Sequence, residues 1–278
     1  MRGVGVGGLL VAVLFGAAGC APSPAPALPD GVQVQLVQLR SDVADRTAQV
    51  RVVNGSDADL VVERLVVEDD WFAGPAEREK RSAIAAGRTV DLRIQLPESA
   101  CEGEPAAGER RSRALLELAG IGTVEVDLVD PLGFSVRLHE RECLAHDAAA
   151  VAGIRISGFV ASPAGEPARL ELAIEPTGGD GAIELLELRP TNLLQFTTAE
   201  SSPHPLGVTV AGSDAPQTLQ IPLVPQRCDP HAVMEDKRGT VFGLSLRADG
   251  VEGVVDVAAS DELKGRMLRW VADWCGYA

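Results

Sequence analysis

The chain has 278 residues, of which 46% are hydrophobic and 23% charged, a composition that excludes whole-chain disorder and a polytopic membrane fold. Forty acids against 25 bases give a net charge of −15, which argues against a nucleic-acid partner, because phosphate binding needs a basic face. Only 4% of residues are aromatic, leaving few platforms on which bases or sugars could stack. At roughly 150 residues per domain the length predicts about two domains.

Residues 1–19 read as an address. Arg2 gives a short positive start, and Val4 to Ala18 is an apolar run long enough for a signal-peptide core. It is too short for a membrane span of about 20 residues. The run ends in Ala17-Ala18-Gly19-Cys20, small residues before a cysteine. This resembles the lipobox of bacterial lipoproteins, although Ala17 stands where that family prefers Leu. The resemblance implies a diacylglyceryl group on Cys20, which would become the new N-terminus. Residues 20–29 hold four prolines, at 22, 24, 26 and 29, which remove backbone donors and fix φ. They predict an extended tether. A chain held by such lipid would sit on the extracytoplasmic face of the cell membrane.

The other four cysteines, Cys101, Cys143, Cys228 and Cys275, are an even number in an exported chain and point to disulfides. Four cysteines allow three connectivities. The pairs Cys101–Cys143 and Cys228–Cys275 are favoured because the sequence around them repeats. A zinc site of four thiolates is disfavoured, since no CxxC pair exists.

The repeat predicts two tandem copies, 30–148 and 149–278. In each, an alternating run precedes the first cysteine: Val90–Leu96 in one, Thr218–Leu223 in the other. Two strand-like runs lie between the cysteines: 114–118 and 123–129, then 240–246 and 254–258. Gly133 and Gly265 each stand ten residues before the closing cysteine.

Earlier strands are predicted at 32–39, 47–53 and 60–67, and again at 154–160, 168–174 and 182–188, from period-two alternation. Asn54-Gly55 and Gly178-Gly179-Asp180-Gly181 mark turns. Six or so strands per copy predict a mainly β fold of two immunoglobulin-like sandwiches. Helix is expected only from Ser260, a cap followed by Asp261 and Glu262. There Leu263, Met267, Trp270, Val271, Trp274 and Cys275 form one stripe. The segment from Asp130 to Cys143 is ambiguous: Asp130-Pro131 starts like a helix, but Phe134, Val136 and Leu138 alternate like a strand.

One string suggests a ligand site. In Cys228-Asp229-Pro230-His231-Ala232-Val233-Met234-Glu235-Asp236-Lys237-Arg238-Gly239, His231 and Glu235 are four apart and would share a helix face, with Asp229 and Asp236 nearby. That set would hold a metal or small ligand. The structural alternative is favoured: Asp229 as cap, Pro230 at the first helical position and Gly239 past the end describe a short capped helix.

The same string, with Asp130-Pro131-Leu132-Gly133, Arg137-Leu138-His139 and Cys143, resembles secreted lipoproteins of high-GC Gram-positive, actinobacterial-type bacteria. Their mature part has two repeated β domains. The bias of 22 Arg to 3 Lys fits such a genome. The resemblance transfers no activity to any residue.

Catalytic templates fail. There is no GxSxG, HExxH or Walker loop, and the GxGxxG spacing at Gly3, Gly5 and Gly8 lies in the leader. His139, His146, His204 and His231 are scattered. His139 and His146 flank Cys143, with Glu140 and Asp147 as expected pairing partners. Met234 and Met267 are the only methionines after the leader, too few for a copper carrier. Acidity is spread evenly: 23 acids and 14 bases in 30–148, then 17 and 10 in 149–278. The arginines at 110, 111 and 113, and the basic run Arg78, Lys80 and Arg81, read as solvated loops. The expectation is a lipid-anchored, non-enzymatic interaction module of the cell envelope without a cofactor. Its partners would be the membrane, through Cys20, and an envelope protein. The alternative is a small-ligand or metal carrier using the His231 loop.

Overall fold

The computed structural model describes residues 26–43, 45–102, 110–197, 203–235 and 238–277, and among these it has sixteen strands, the longer ones built on alternating apolar positions. Leader residues 1–19 and Cys20 lie outside the described residues. The first eight strands are β1 (Val32–Val37), β2 (Thr47–Asn54), β3 (Leu60–Asp69), β4 (Ala76–Arg78), β5 (Ser82–Ile84), β6 (Thr89–Gln95), β7 (Ser112–Leu118) and β8 (Gly122–Asp127). They pair antiparallel into two sheets, β1-β2-β6 and β4-β3-β7-β8, with β5 also on β3.

The next eight are β9 (Ala152–Val160), β10 (Ala168–Pro176), β11 (Ala182–Leu188), β12 (Leu194–Phe196), β13 (His204–Ala211), β14 (Gln217–Pro225), β15 (Val241–Ala248) and β16 (Val251–Ala258). Their sheets are β9-β10-β14-β12 and β13-β11-β15-β16. The two strand orders correspond: β1, β2 and β6 hold the places of β9, β10 and β14, and β3, β7 and β8 those of β11, β15 and β16. The protein is therefore mainly β, in two sandwich-like pairs of antiparallel sheets.

Each pair of sheets encloses its own apolar cluster. Leu36, Val50, Leu65, Ile84, Leu92 and Leu116 fill the first, and Phe159, Leu170, Leu172, Leu185, Phe242 and Leu246 the second, all almost fully buried. Asn54-Gly55 does not close a hairpin. It carries the chain from the β1-β2-β6 sheet to the other one, since β2 and β3 belong to different sheets. Asn54 is fully buried, and its side-chain amide donates to the carbonyls of Ala58 at 2.8 Å and Ile84 at 3.0 Å. Gly55 is needed for close approach: a Cβ there would stand 2.5 Å from the Gly31 carbonyl oxygen.

Among the described residues there are three helices: α1 (Phe134–Val151) between β8 and β9, α2 (Pro230–Glu235) between β14 and β15, and α3 (Asp261–Cys275) after β16. The ambiguous segment after Asp130 is thus helical. Asp130 caps α1 from outside, accepting from the Ser135 backbone N–H at 2.9 Å and its hydroxyl at 2.6 Å. The expected boundary at 148/149 falls inside α1. Ala148-Ala149-Ala150 are strong helix formers, and they carry the helix directly into β9. Phe134 and Leu138 enter the first apolar cluster, whereas Leu144, Ala148 and Val151 enter the second. At about 100° per residue those two sets lie about a quarter-turn apart around the helix.

Helix α3 follows its sequence pattern. The Ser260 hydroxyl accepts from the Leu263 N–H, and Gly276, at φ 75°, ends the helix in the left-handed region. Leu263, Met267, Trp270 and Val271 are buried, while Trp274 and Cys275 pack at the margin.

Candidate functional site

The two disulfides join equivalent places. Cys101, between β6 and β7, bonds Cys143 of α1 with Cα atoms 5.0 Å apart. Cys228, between β14 and β15, bonds Cys275 of α3 with Cα atoms 5.3 Å apart. The four thiols are thus consumed in pairs, and a tetrathiolate zinc site does not form. Each bridge ties the loop between the sheets to the helix that closes its half.

The predicted His231 site lies beside the second bridge. Asp229 accepts from the His231 backbone N–H at 3.0 Å through its carboxylate, and from the Val233 N–H at 3.0 Å through its carbonyl. It is therefore the cap of α2, as the structural alternative has it. Val233 is buried, while Asp229, His231 and Met234 face solvent. Glu235 is the last residue of α2, and Asp236 lies outside the described residues. Among the described residues no three His, Cys, Asp or Glu side chains converge to hold a metal. The Tyr277 hydroxyl is buried without a partner here. Its pKa is raised, first by burial and then by the negative charge of Asp229.

A denser constellation sits beside the first bridge. At the end of β3 the buried Asp69 carboxylate accepts from the Trp71 backbone N–H at 3.0 Å and pairs with Arg110. The Arg110 guanidinium lies 4.2 Å from the centre of the Trp71 ring, a cation–π contact. His139 of α1 stacks on Trp71, with centroids 5.0 Å apart and planes 14° from parallel. The Cys143 sulfur is 3.6 Å and 3.8 Å from the two nitrogens of His139. Near-equal distances make this a packing contact and not an N–H···S hydrogen bond, which would favour one nitrogen.

One residue before the bridge, Glu142 receives Arg46 through Nε at 2.9 Å and through Nη2, and the Ser99 hydroxyl at 2.6 Å. Burial alone would raise the Glu142 pKa. The hydrogen bonds from Arg46 and Ser99 outweigh it and hold the carboxyl below its ordinary range. Arg46 also donates to the carbonyls of Leu96 at 2.7 Å and Pro97. Its own backbone is left-handed, at φ 53°. A cavity of about 300 Å³ adjoins this group, lined by Arg46, Glu98, Ser99, Cys101, Glu142 and His146.

Chemically this is a latch. Guanidinium groups, carboxylates and rings pair with one another, and the sulfur is held in the disulfide. Part of what hides it from sequence reasoning is local. The spacing of His139 and Cys143 places both on one helix face only if 134–143 is helical. His139 takes Trp71 in place of the expected Glu140, while His146 contacts Asp147 at 3.4 Å on the surface.

Two of the basic residues are answered by acids, Arg110 by Asp69 and Arg113 by two glutamates. Arg113 pairs with Glu68 at 2.6 Å and Glu125 at 2.9 Å, and Arg78 donates to the Ser82 hydroxyl at 2.9 Å. A cleft of about 790 Å³ beside the β7–β8 pair is lined by Arg110, Arg111 and Arg113 together with Glu125 and Asp127. His204 stands apart, tilted against Phe196 at 5.5 Å with Nδ1 buried and unpaired, and burial lowers its pKa.

No protein-family model and no curated protein matches the chain. Among solved structures it is similar to a transglutaminase of red sea bream, at 12% identity and a TM-score of 0.25 over 83% of this chain and 31% of that one. It thus spans less than a third of the transglutaminase. It is also similar to CBD12 from CALX1.2, at 13% identity and 0.20 over 73% of each chain. A third likeness is to the calcium binding domain CBD12 of CALX1.1, at 14% and 0.23 over 80% of this chain and 79% of that one. At these scores the likeness says nothing about chemistry.

Proposed function

We propose that this protein is a lipid-anchored, extracytoplasmic interaction module without catalytic activity. It is built from two tandem immunoglobulin-like domains and held at the membrane through Cys20. The observation that carries the reading is the repeated design: the same strand order twice, each time closed by a disulfide from the inter-sheet loop to the following helix. Such bridges belong to an oxidising compartment, which fits an exported chain. Two or more acyl chains at Cys20 would anchor it durably, where one would not. The polar side chains that do cluster, around Trp71 and Glu142, are spent on one another.

Expression of the full chain in a Gram-positive host tests this reading. The protein is expected in the membrane fraction with a lipid mass on Cys20, and a Cys20→Ala variant in the medium. An uncut leader on a cytosolic chain with five free thiols would refute it. Cross-linking on intact cells is then expected to join it to an envelope protein.

A further inference from the structure

Strand direction gives each half two distinct ends. In the first half, one end gathers the start of the described chain with the loops it touches. Leu28 packs on the first apolar cluster, the Gly55 N–H donates to the Gly31 carbonyl, and Pro26 lies beside Gly122 of the β7–β8 turn. The opposite end holds Asp69, Trp71, the Cys101–Cys143 bridge and the start of α1, since Asp69 pairs with Ser112 across β3 and β7. The tether side and the α1 side are therefore opposite ends of one sandwich.

The second half repeats that polarity. Its near end receives α1: Thr177 donates to the carbonyls of Ala150 at 2.6 Å and Val151 at 3.1 Å, and Leu144 abuts Gly253 of β16. A Cβ at Gly253 would stand 2.7 Å from Leu144, so the glycine admits the helix. The far end carries α2, the Cys228–Cys275 bridge and the C-terminal turn of α3. Between the halves runs a single helix that is core for both.

We propose that α1 joins the two halves end to end as one rigid body, with the tether at one extremity and the α2 tip at the other. Resting on the lipid anchor proposed for Cys20, this makes the first half a spacer. The tip from Cys228 to Glu235, with the end of α3, is then the surface presented farthest from the bilayer.

Exposed Ile121, in the tether-end turn, and exposed Met234, on α2, mark the extremities. Spin labels on non-natural side chains at both positions of the full chain leave the disulfides intact. At about 3.3 Å per strand residue each half is about 20–30 Å long, so one narrow distance of about 40 Å or more is expected. A broad distribution, or one reaching below about 25 Å, overturns the rigid arrangement. The lipidated chain is then placed on phosphatidylglycerol–phosphatidylethanolamine vesicles bearing a lipid-linked acceptor dye. A donor at Ile121 is expected to be quenched at least about threefold more than one at Met234. Equal quenching overturns the outward placement of the tip. A chain that does not sediment with the vesicles refutes the anchor instead, and the solution distance then decides the end-to-end arrangement alone.

Discussion

Helices α1 and α3 follow equivalent strands and carry the second cysteine of equivalent bridges, yet they bury themselves differently. Helix α3 shows one apolar stripe to one core. Helix α1 divides its apolar residues: Phe134 and Leu138 plug the first sandwich, and Leu144, Ala148 and Val151 the second. A helix that ends its half needs one face, whereas a helix that also begins the next half needs two. The same closing element thus becomes a connector when the chain continues through it, without a flexible linker.

The comparison breaks most visibly where one stripe does all the packing. Trp270 is 3% exposed, meets Phe159 edge-on at 5.3 Å and donates its indole N–H to the Ser162 carbonyl at 3.1 Å. Trp270→Ala is expected to cost about 3–5 kcal/mol. The loss should fall on the second half, read by hydrogen exchange across β9–β16 with β1–β8 little changed.

The bridges come next. Loops of 42 and 47 residues predict nearly equal losses of about 4 kcal/mol in the chain-entropy model. Removing Cys101 and Cys143 together should also loosen α1. Removing Cys228 and Cys275 should leave α1 protected. Denaturant unfolding of the two double variants, with exchange mapped over 134–151, separates these outcomes.

The two faces of α1 can then be tested against each other. Leu138→Ala and Leu144→Ala should each cost about 3 kcal/mol, the first in β1–β8 and the second in β9–β16. Equal loss in both halves from either variant would contradict the division of faces.

Smaller effects come from charge. The lowered pKa of Glu142 means that the folded state favours its carboxylate. Its contribution is present above the ordinary carboxylate range and is lost as pH falls through the lower folded value. Glu142→Gln should therefore flatten the acid limb of the stability curve. For His204 the folded state disfavours protonation, so stability should decline slightly as pH drops below the ordinary imidazole value of 6.5. His204→Phe should remove that decline.

The strand pattern was largely legible, because period-two alternation is a local signal. Nearly every predicted run lies on an observed strand, and Ser260 caps the helix it was expected to cap. The short strands β4, β5 and β12 were not legible, since three residues are too few to show a period. The edge strand β13 went unread behind Pro205 and Gly207, which resemble loop punctuation. Helix α1 was obscured by its two faces: Phe134, Val136 and Leu138 mimic a strand when the later residues point elsewhere. The latch was lost with it, because Trp71, Arg46 and Ser99 are far from His139 and Glu142 in sequence. Asp229 was legible as a cap because a cap acts on its immediate neighbours.

Amide hydrogen exchange of α1 in the intact, oxidised protein tests the central claim most directly. If one unbroken helix serves both cores, protection should run without a gap from about residue 138 to residue 151. Fast exchange confined to 144–150, between protected flanks, would reveal a hinge and contradict the shared helix.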